Sequence, residues 1–168
     1  MSPARESVAA RVILPGVSTH TPPTTDLRFV VGYDGSPPAS RALDAAVRLL
    51  QGRAGAIEVV YVAHVPSLAA LSADAVSELE TGFDDIERDL RTMAGEQLRD
   101  RGARWGFERR QGQIPEELVA AAKDVGAEHP DATVVIVVGS SSLVAHRVVG
   151  SVAVSLARHS PVPLVVVP

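Results

Sequence analysis

The sequence predicts a single doubly wound α/β domain: a five-stranded parallel sheet of order 3-2-1-4-5 with helices on both faces. Three observations carry this reading. Strand-like apolar runs alternate with segments of helical periodicity across residues 27–168. Two runs, Phe29-Val30-Val31 and Val134-Val135-Ile136-Val137-Val138, are continuously apolar, as parallel strands covered on both faces must be. Two others carry edge features. The Trp105 segment alternates apolar with polar, and the last run follows Pro161 and Pro163, which cannot donate to a ladder.

The elements follow in order. Residues 1–26 read as a flexible N-terminal arm, because Ser18-Thr19-His20-Thr21-Pro22-Pro23-Thr24-Thr25 has little to bury. Strand 1 is expected over Leu27–Tyr33, and Asp34-Gly35 turns the chain. Ser36 is placed to cap a helix whose first turn holds Pro37 and Pro38. Ala39, Ala42, Leu43, Ala46, Leu49 and Leu50 then recur at helical spacing. Strand 2 spans Ile57–Val62. A long helix is expected from about Leu68 to Arg101, with Gly82 as a point of interruption. Arg104–Gln111 alternates as strand 3. Pro115-Glu116-Glu117 opens a third helix, acidic in its first turn, which runs through Leu118 to about Val125. Strand 4 is Val134–Val138, helix 4 is Ser151–His159, and strand 5 is Leu164–Val167.

Composition removes several function classes. Sixteen basic residues stand against 20 acidic ones, a net charge of −4, so the basic surface that nucleic acid or a membrane surface requires is missing from the balance. The chain has no cysteine, which excludes disulfides, thiolate metal sites and cysteine catalysis. No apolar stretch reaches the roughly 18–20 residues of a spanning helix, and residues 1–25 lack a signal-peptide layout, so a cytoplasmic location is expected. P-loop, dinucleotide and Gly-x-Ser-x-Gly motifs are absent, and the serines at 140–142 have no identifiable base to activate them.

The most informative segment lies near the C-terminus. Strand 4 runs directly into Gly139-Ser140-Ser141-Ser142, and eight residues later Gly150-Ser151 opens helix 4. A small-residue loop ahead of a helix start lets backbone N–H groups converge on an anion. In the order 3-2-1-4-5 the strand order reverses between strands 1 and 4, where ligands of such sheets bind. Asp34 and Gly139 stand at the C-terminal ends of those two strands. Asp34 also fits an Asx turn, and Gly139 and Gly150 also fit a strand-end turn and a close helix–sheet contact.

Four blocks carry a resemblance to the universal stress protein family over residues 27–168. They are Val30-Val31-Gly32-Tyr33-Asp34-Gly35-Ser36, Val59-Val60-Tyr61-Val62, Gly112-Gln113-Ile114-Pro115, and a C-terminal set. That set is Val137-Val138-Gly139-Ser140, then Gly150-Ser151-Val152-Ala153, then Pro161-Val162-Pro163-Leu164-Val165-Val166-Val167. The resemblance implies a small α/β domain, often a homodimer, one branch of which binds ATP. It implies that Asp34 and Val62 frame an adenine near Val138 and Gly139, beside the Gly32-Tyr33 strand end. It further implies that Gly139, Ser140, Ser142, Gly150, Ser151 and Val152 hold ribose and phosphates. Arg147 and His146 stand where they could offer positive charge to a phosphate, and they also fit a solvated patch. Mg²⁺ would enter only as the counter-ion of ATP. The family's binding pattern is glycine, two residues, glycine, nine residues, then glycine and Ser or Thr. Here Ser142 replaces the second glycine, and seven residues separate it from Gly150. A serine forced into a left-handed backbone costs about 1–2 kcal/mol, which weakens a site without abolishing it.

The expected function is therefore a stress-response regulatory domain that holds an adenine nucleotide, with no dedicated catalysis. The alternative is a nucleotide-free dimeric scaffold acting through protein contacts, paired along the C-terminal edge strand, Leu164–Val167. Three further readings are structural: His64, His129 and His159 are surface residues, Arg109-Arg110 is a solvated strand end, and Trp105 with Phe107 packs in a core or interface.

Overall fold

The structure, a computed structural model, describes residues 26–64, 73–140 and 150–168, with the side chains of 73–77 left out. Its elements are β1 (Leu27–Gly32), α1 (Pro37–Leu50), β2 (Gly55–Ala63), α2 (Ala73–Leu98), β3 (Trp105–Gln111), α3 (Ile114–Glu128), β4 (Thr133–Gly139), α4 (Ser151–His159) and β5 (Leu164–Val167). All strand pairs are parallel, in one five-stranded sheet of order β3-β2-β1-β4-β5.

The alternation of side chains along each strand divides the interior into two layers. Phe29, Val31, Ile57, Val59, Val135 and Val137 pack with Ala42, Leu43, Ala46 and Val47 of α1 and Leu90, Ala94 and Leu98 of α2. Val30, Val60, Val62, Val134, Ile136 and Val138 pack with Leu118, Ala121 and Ala122 of α3 and Ala153 and Leu156 of α4. The central strands β1 and β4 thus contribute to both layers, which is why their sequences carry no polar alternation. No helix of the described residues is long and apolar enough to cross a membrane.

Four expectations need correction. Gly82 does not interrupt α2; it is exposed, and a Cβ there would touch nothing within 4 Å. A solvent-facing helical glycine costs only about 1 kcal/mol, too little to break a helix packed along its length. The same helix ends at Leu98 rather than Arg101, because Asp100 and Gly102 take left-handed φ values of 61° and 67°. Its expected start at Leu68 lies outside the described residues. β2 begins two residues earlier than its apolar run, at Gly55, whose Cβ position is occupied by the Leu27 carbonyl, so only glycine lets the two strands approach there.

The fourth correction concerns the arginine pair. Arg109 reaches α2, with contacts of 2.8 Å to Asp84 and 3.5 Å each to Glu80 and Glu87. Arg110 turns to the other face, 2.6 Å from Asp124 of α3 and 3.1 Å from Glu108. These side chains tie β3 to the helices of both layers. Beside them Arg91 lies 5.0 Å over the Phe107 ring, and Phe107 is half-buried against the first layer, while Trp105 keeps 37% of its surface exposed.

One strand residue titrates unusually. Glu58 faces Gly106 across the β2–β3 pair, and burial pushes its carboxyl above the ordinary 4.5, helped by Glu108 and Glu128 and opposed by Arg28 and His129. A carboxyl raised in the folded state favours folding most in acid, and that contribution is lost as pH rises through the folded value. Glu58→Gln is therefore expected to melt higher than the parent at pH 7, with the difference closing below pH 4.5, as paired thermal melts would show. An equal gain at both pH values would contradict this.

Candidate functional site

Two backbone hydrogen bonds open the crevice at the strand ends. The Tyr33 N–H donates to the Val60 carbonyl at 2.9 Å, so the chain leaving β1 leans toward β2. The Ser140 N–H donates to the Val167 carbonyl at 2.7 Å, so the chain leaving β4 leans toward β5. Neighbouring strands thereby part in opposite directions, and a cleft forms between them.

The turn after β1 is built around Asp34. Its Oδ1 accepts the Ser36 N–H at 3.0 Å, and Gly35 adopts φ 76° with a Cβ position only 2.7 Å from Leu90 Cδ2. Glycine is required there both by conformation and by packing. Ser36 then caps α1, its Oγ accepting the Ala39 N–H at 3.4 Å, and Pro37 and Pro38 fill the first turn. Asp34 is left exposed at the mouth.

A cavity of about 190 Å³ occupies the cleft. Gly32, Val60, Val138 and Leu118 line it from the sheet and α3, and Tyr61, Val62 and Ile114 line its β2 side. Pro38 and Ala39 come from α1, and Gly150, Ser151, Val152 and Ala153 from the start of α4. Gly139 completes the contact between β4 and α1: a Cβ there would overlap the Pro38 carbonyl. Gly32 is similarly tight, its Cβ position 3.1 Å from Leu118 Cδ1.

The polar chemistry of the cavity is concentrated at α4. Its N-cap is Gly150, which offers no side-chain acceptor, and its first turn holds no acid. The first helical bond runs from the Val154 N–H to the Gly150 carbonyl at 3.0 Å. The N–H groups of Ser151, Val152 and Ala153 precede it and have no acceptor within the helix. By contrast, α1 is capped by Ser36 and α3 carries Glu116 and Glu117 in its first turn. The α4 N-terminus therefore meets the cavity with donors that have no partner among the described residues, and with a partial positive charge. Nearby, burial pushes the Tyr61 phenol up, Asp34 adds to the effect and Arg109 opposes it, so Tyr61 stays a neutral donor at physiological pH. No group of three or more His, Asp or Glu residues among the described residues could hold a metal ion.

Of the residues expected at the site, Gly32, Tyr33, Asp34, Val62, Val138, Gly139, Gly150, Ser151 and Val152 all line this cavity. Ser140 is not among its described lining residues, and its N–H is already engaged by Val167. Ser142 and Arg147, with Ser141 and His146, lie outside the described residues. Sequence reasoning missed Ser36, Pro38, Ala39, Val60, Tyr61, Ile114, Leu118 and Ala153. Several of these neighbour residues that were singled out, and Leu118 sits one turn into α3. The signal was the topology: whatever adjoins the ends of β1, β2 and β4 faces the same opening. His64 is exposed, with Nδ1 3.0 Å from the Gly112 carbonyl, and His159 is exposed, with Nδ1 3.0 Å from the Ser155 carbonyl.

A family model described as the universal stress protein family matches residues 27–168. Among solved structures, a protein of that family from Burkholderia pseudomallei is 25% identical, with a TM-score of 0.64 over 88% of this chain and 98% of that one. A universal stress protein in complex with cAMP is 24% identical, with a TM-score of 0.60 over 84% and 97% of the two chains. One from Archaeoglobus fulgidus in complex with dAMP is 19% identical, with a TM-score of 0.54 over 86% and 98%. Comparison with curated proteins returned no match.

Proposed function

The chain belongs to the universal stress protein family, and from that premise we propose that it binds an adenine nucleotide, ATP in the first instance, in the β1/β4 crevice. The adenine lies between Asp34 and Val62 against Val138 and Gly139, and the phosphates face Gly150, Ser151 and Val152. The observation that carries this reading is the start of α4, uncapped among the described residues, opening onto a cavity lined mostly by apolar side chains. An apolar slot with a few convergent donors at a switch point suits a flat base bearing an anionic tail. Relatives whose structures hold cAMP and dAMP share the fold, and both ligands are adenine nucleotides.

The chain's own residues bind and orient; the reading assigns them no reaction step. Asp34 is held by its bond to the Ser36 N–H and so presents a fixed acceptor at the mouth. Occupancy of the crevice bridges α1, α4 and the ends of three strands, so nucleotide would stabilise their arrangement and report its own concentration to a partner. This is a regulatory role suited to a stress-response domain. Calorimetric titration with ATP is expected to give one saturable binding event per chain. Absence of heat at millimolar ATP and ADP would refute the reading.

A further inference from the structure

The sheet carries a second cavity at its other end, where β2 and β3 begin. It measures about 240 Å³ and lies between the α1–β2 turn and the α2–β3 turn. Its apolar base is Val47 and Leu50, and its lining includes Arg53, Arg101 and Arg104. We propose that this pocket is an anion site for a diphosphate group, separate from the nucleotide crevice.

Charge and backbone geometry support the assignment. No carboxylate side chain lines the pocket among the described residues, although the chain as a whole carries −4. Arg101 has one acidic partner, Asp44, at a long 3.4 Å. Arg53 and Arg104 have no hydrogen-bonding or ionic side-chain partner among the described residues. Three arginines border the pocket with one long ion pair among them, so an anion there supplies counter-charge. Their backbones are fixed. The Arg53 N–H donates to Leu50 at 2.9 Å, the Arg101 N–H to Leu98 at 3.2 Å, and the Arg104 carbonyl accepts from Ile57 at 2.9 Å. Forked guanidinium donors match phosphate oxygens two at a time, which a single ammonium cannot do. At about 240 Å³ the pocket has room for a compact diphosphate group, and three forked donors can serve the oxygens of two linked phosphates.

The test is a titration of the ¹⁵N-labelled full chain with inorganic pyrophosphate, followed by amide NMR. Saturable shifts are expected at Gly52, Gly55 and Gly102, with those of Gly150 to Ala153 excluded from the fit. Arg53→Ala and Arg104→Ala are each expected to weaken this binding about tenfold, and both exposed substitutions leave the fold intact. Repeating the titration with ADP on the Ser151→Asp variant, whose crevice is disabled, identifies the source. Tighter ADP assigns a nucleoside or other organic diphosphate, and tighter pyrophosphate assigns the free ion. Unsaturated shifts spread equally to Arg48 and Arg158 would overturn the proposal, as would unchanged affinity in a variant carrying both Arg53→Ala and Arg104→Ala.

Discussion

Ser151→Asp is expected to weaken ATP binding about a hundredfold while leaving the protein as stable as the parent or slightly more so. Ser151 is the first residue of α4, exposed, at the lip of the cavity. A carboxylate there would stand about 6 Å from a phosphate seated on the helix start. At an effective dielectric of about 20, that repulsion amounts to ~3 kcal/mol. The same negative charge interacts favourably with the helix dipole by about 0.3–1 kcal/mol, so the melting temperature should hold or rise by a degree or two. Ser151→Ala should lose far less affinity, because backbone N–H groups supply the main contact. Calorimetry and thermal melts on the three proteins decide the matter. Unchanged ATP affinity in Ser151→Asp would place the phosphates elsewhere.

Gly139→Val is expected to act through the fold. The added Cβ would overlap the Pro38 carbonyl, and a backbone carbonyl in the first turn of α1 cannot rotate away as a side chain could. Overpacking of this kind typically costs about 1–3 kcal/mol, here toward the upper end. For a chain of this size that is a fall in melting temperature of about 5–10 °C. The crevice would widen as α1 lifts from β4, so ATP affinity should fall with it. Melting at the parent temperature would show that the start of α1 does not rest on β4. The two substitutions thus separate a lost phosphate contact from a lost scaffold.

The fold was legible where burial dictates sequence. Phe29-Val30-Val31 and Val134–Val138 announce central strands because each supplies side chains to two apolar layers. The proline-marked final run and the alternating Trp105 run announce the edges. The site was legible where local chemistry is distinctive, at Asp34, Gly139 and Gly150-Ser151. It was not legible where distant segments meet, as at Leu118 and Tyr61, whose roles depend on which strand ends share an opening. Arg109 shows the same limit. Its acidic partners span about two turns of α2, and nothing in its own neighbourhood indicates that they will face it. Gly139 was read as either ligand contact or packing. Its overlap with Pro38 shows that packing alone requires glycine there, and its place on the cavity wall adds the other role as part of the proposal.

The most direct measurement is calorimetry of the full chain with ATP, run beside its Ser151→Asp variant. A saturable heat at one nucleotide per chain, lost or shifted about a hundredfold in the variant, is the predicted result. No heat in the parent protein at millimolar nucleotide, or identical isotherms for the two proteins, would contradict the account.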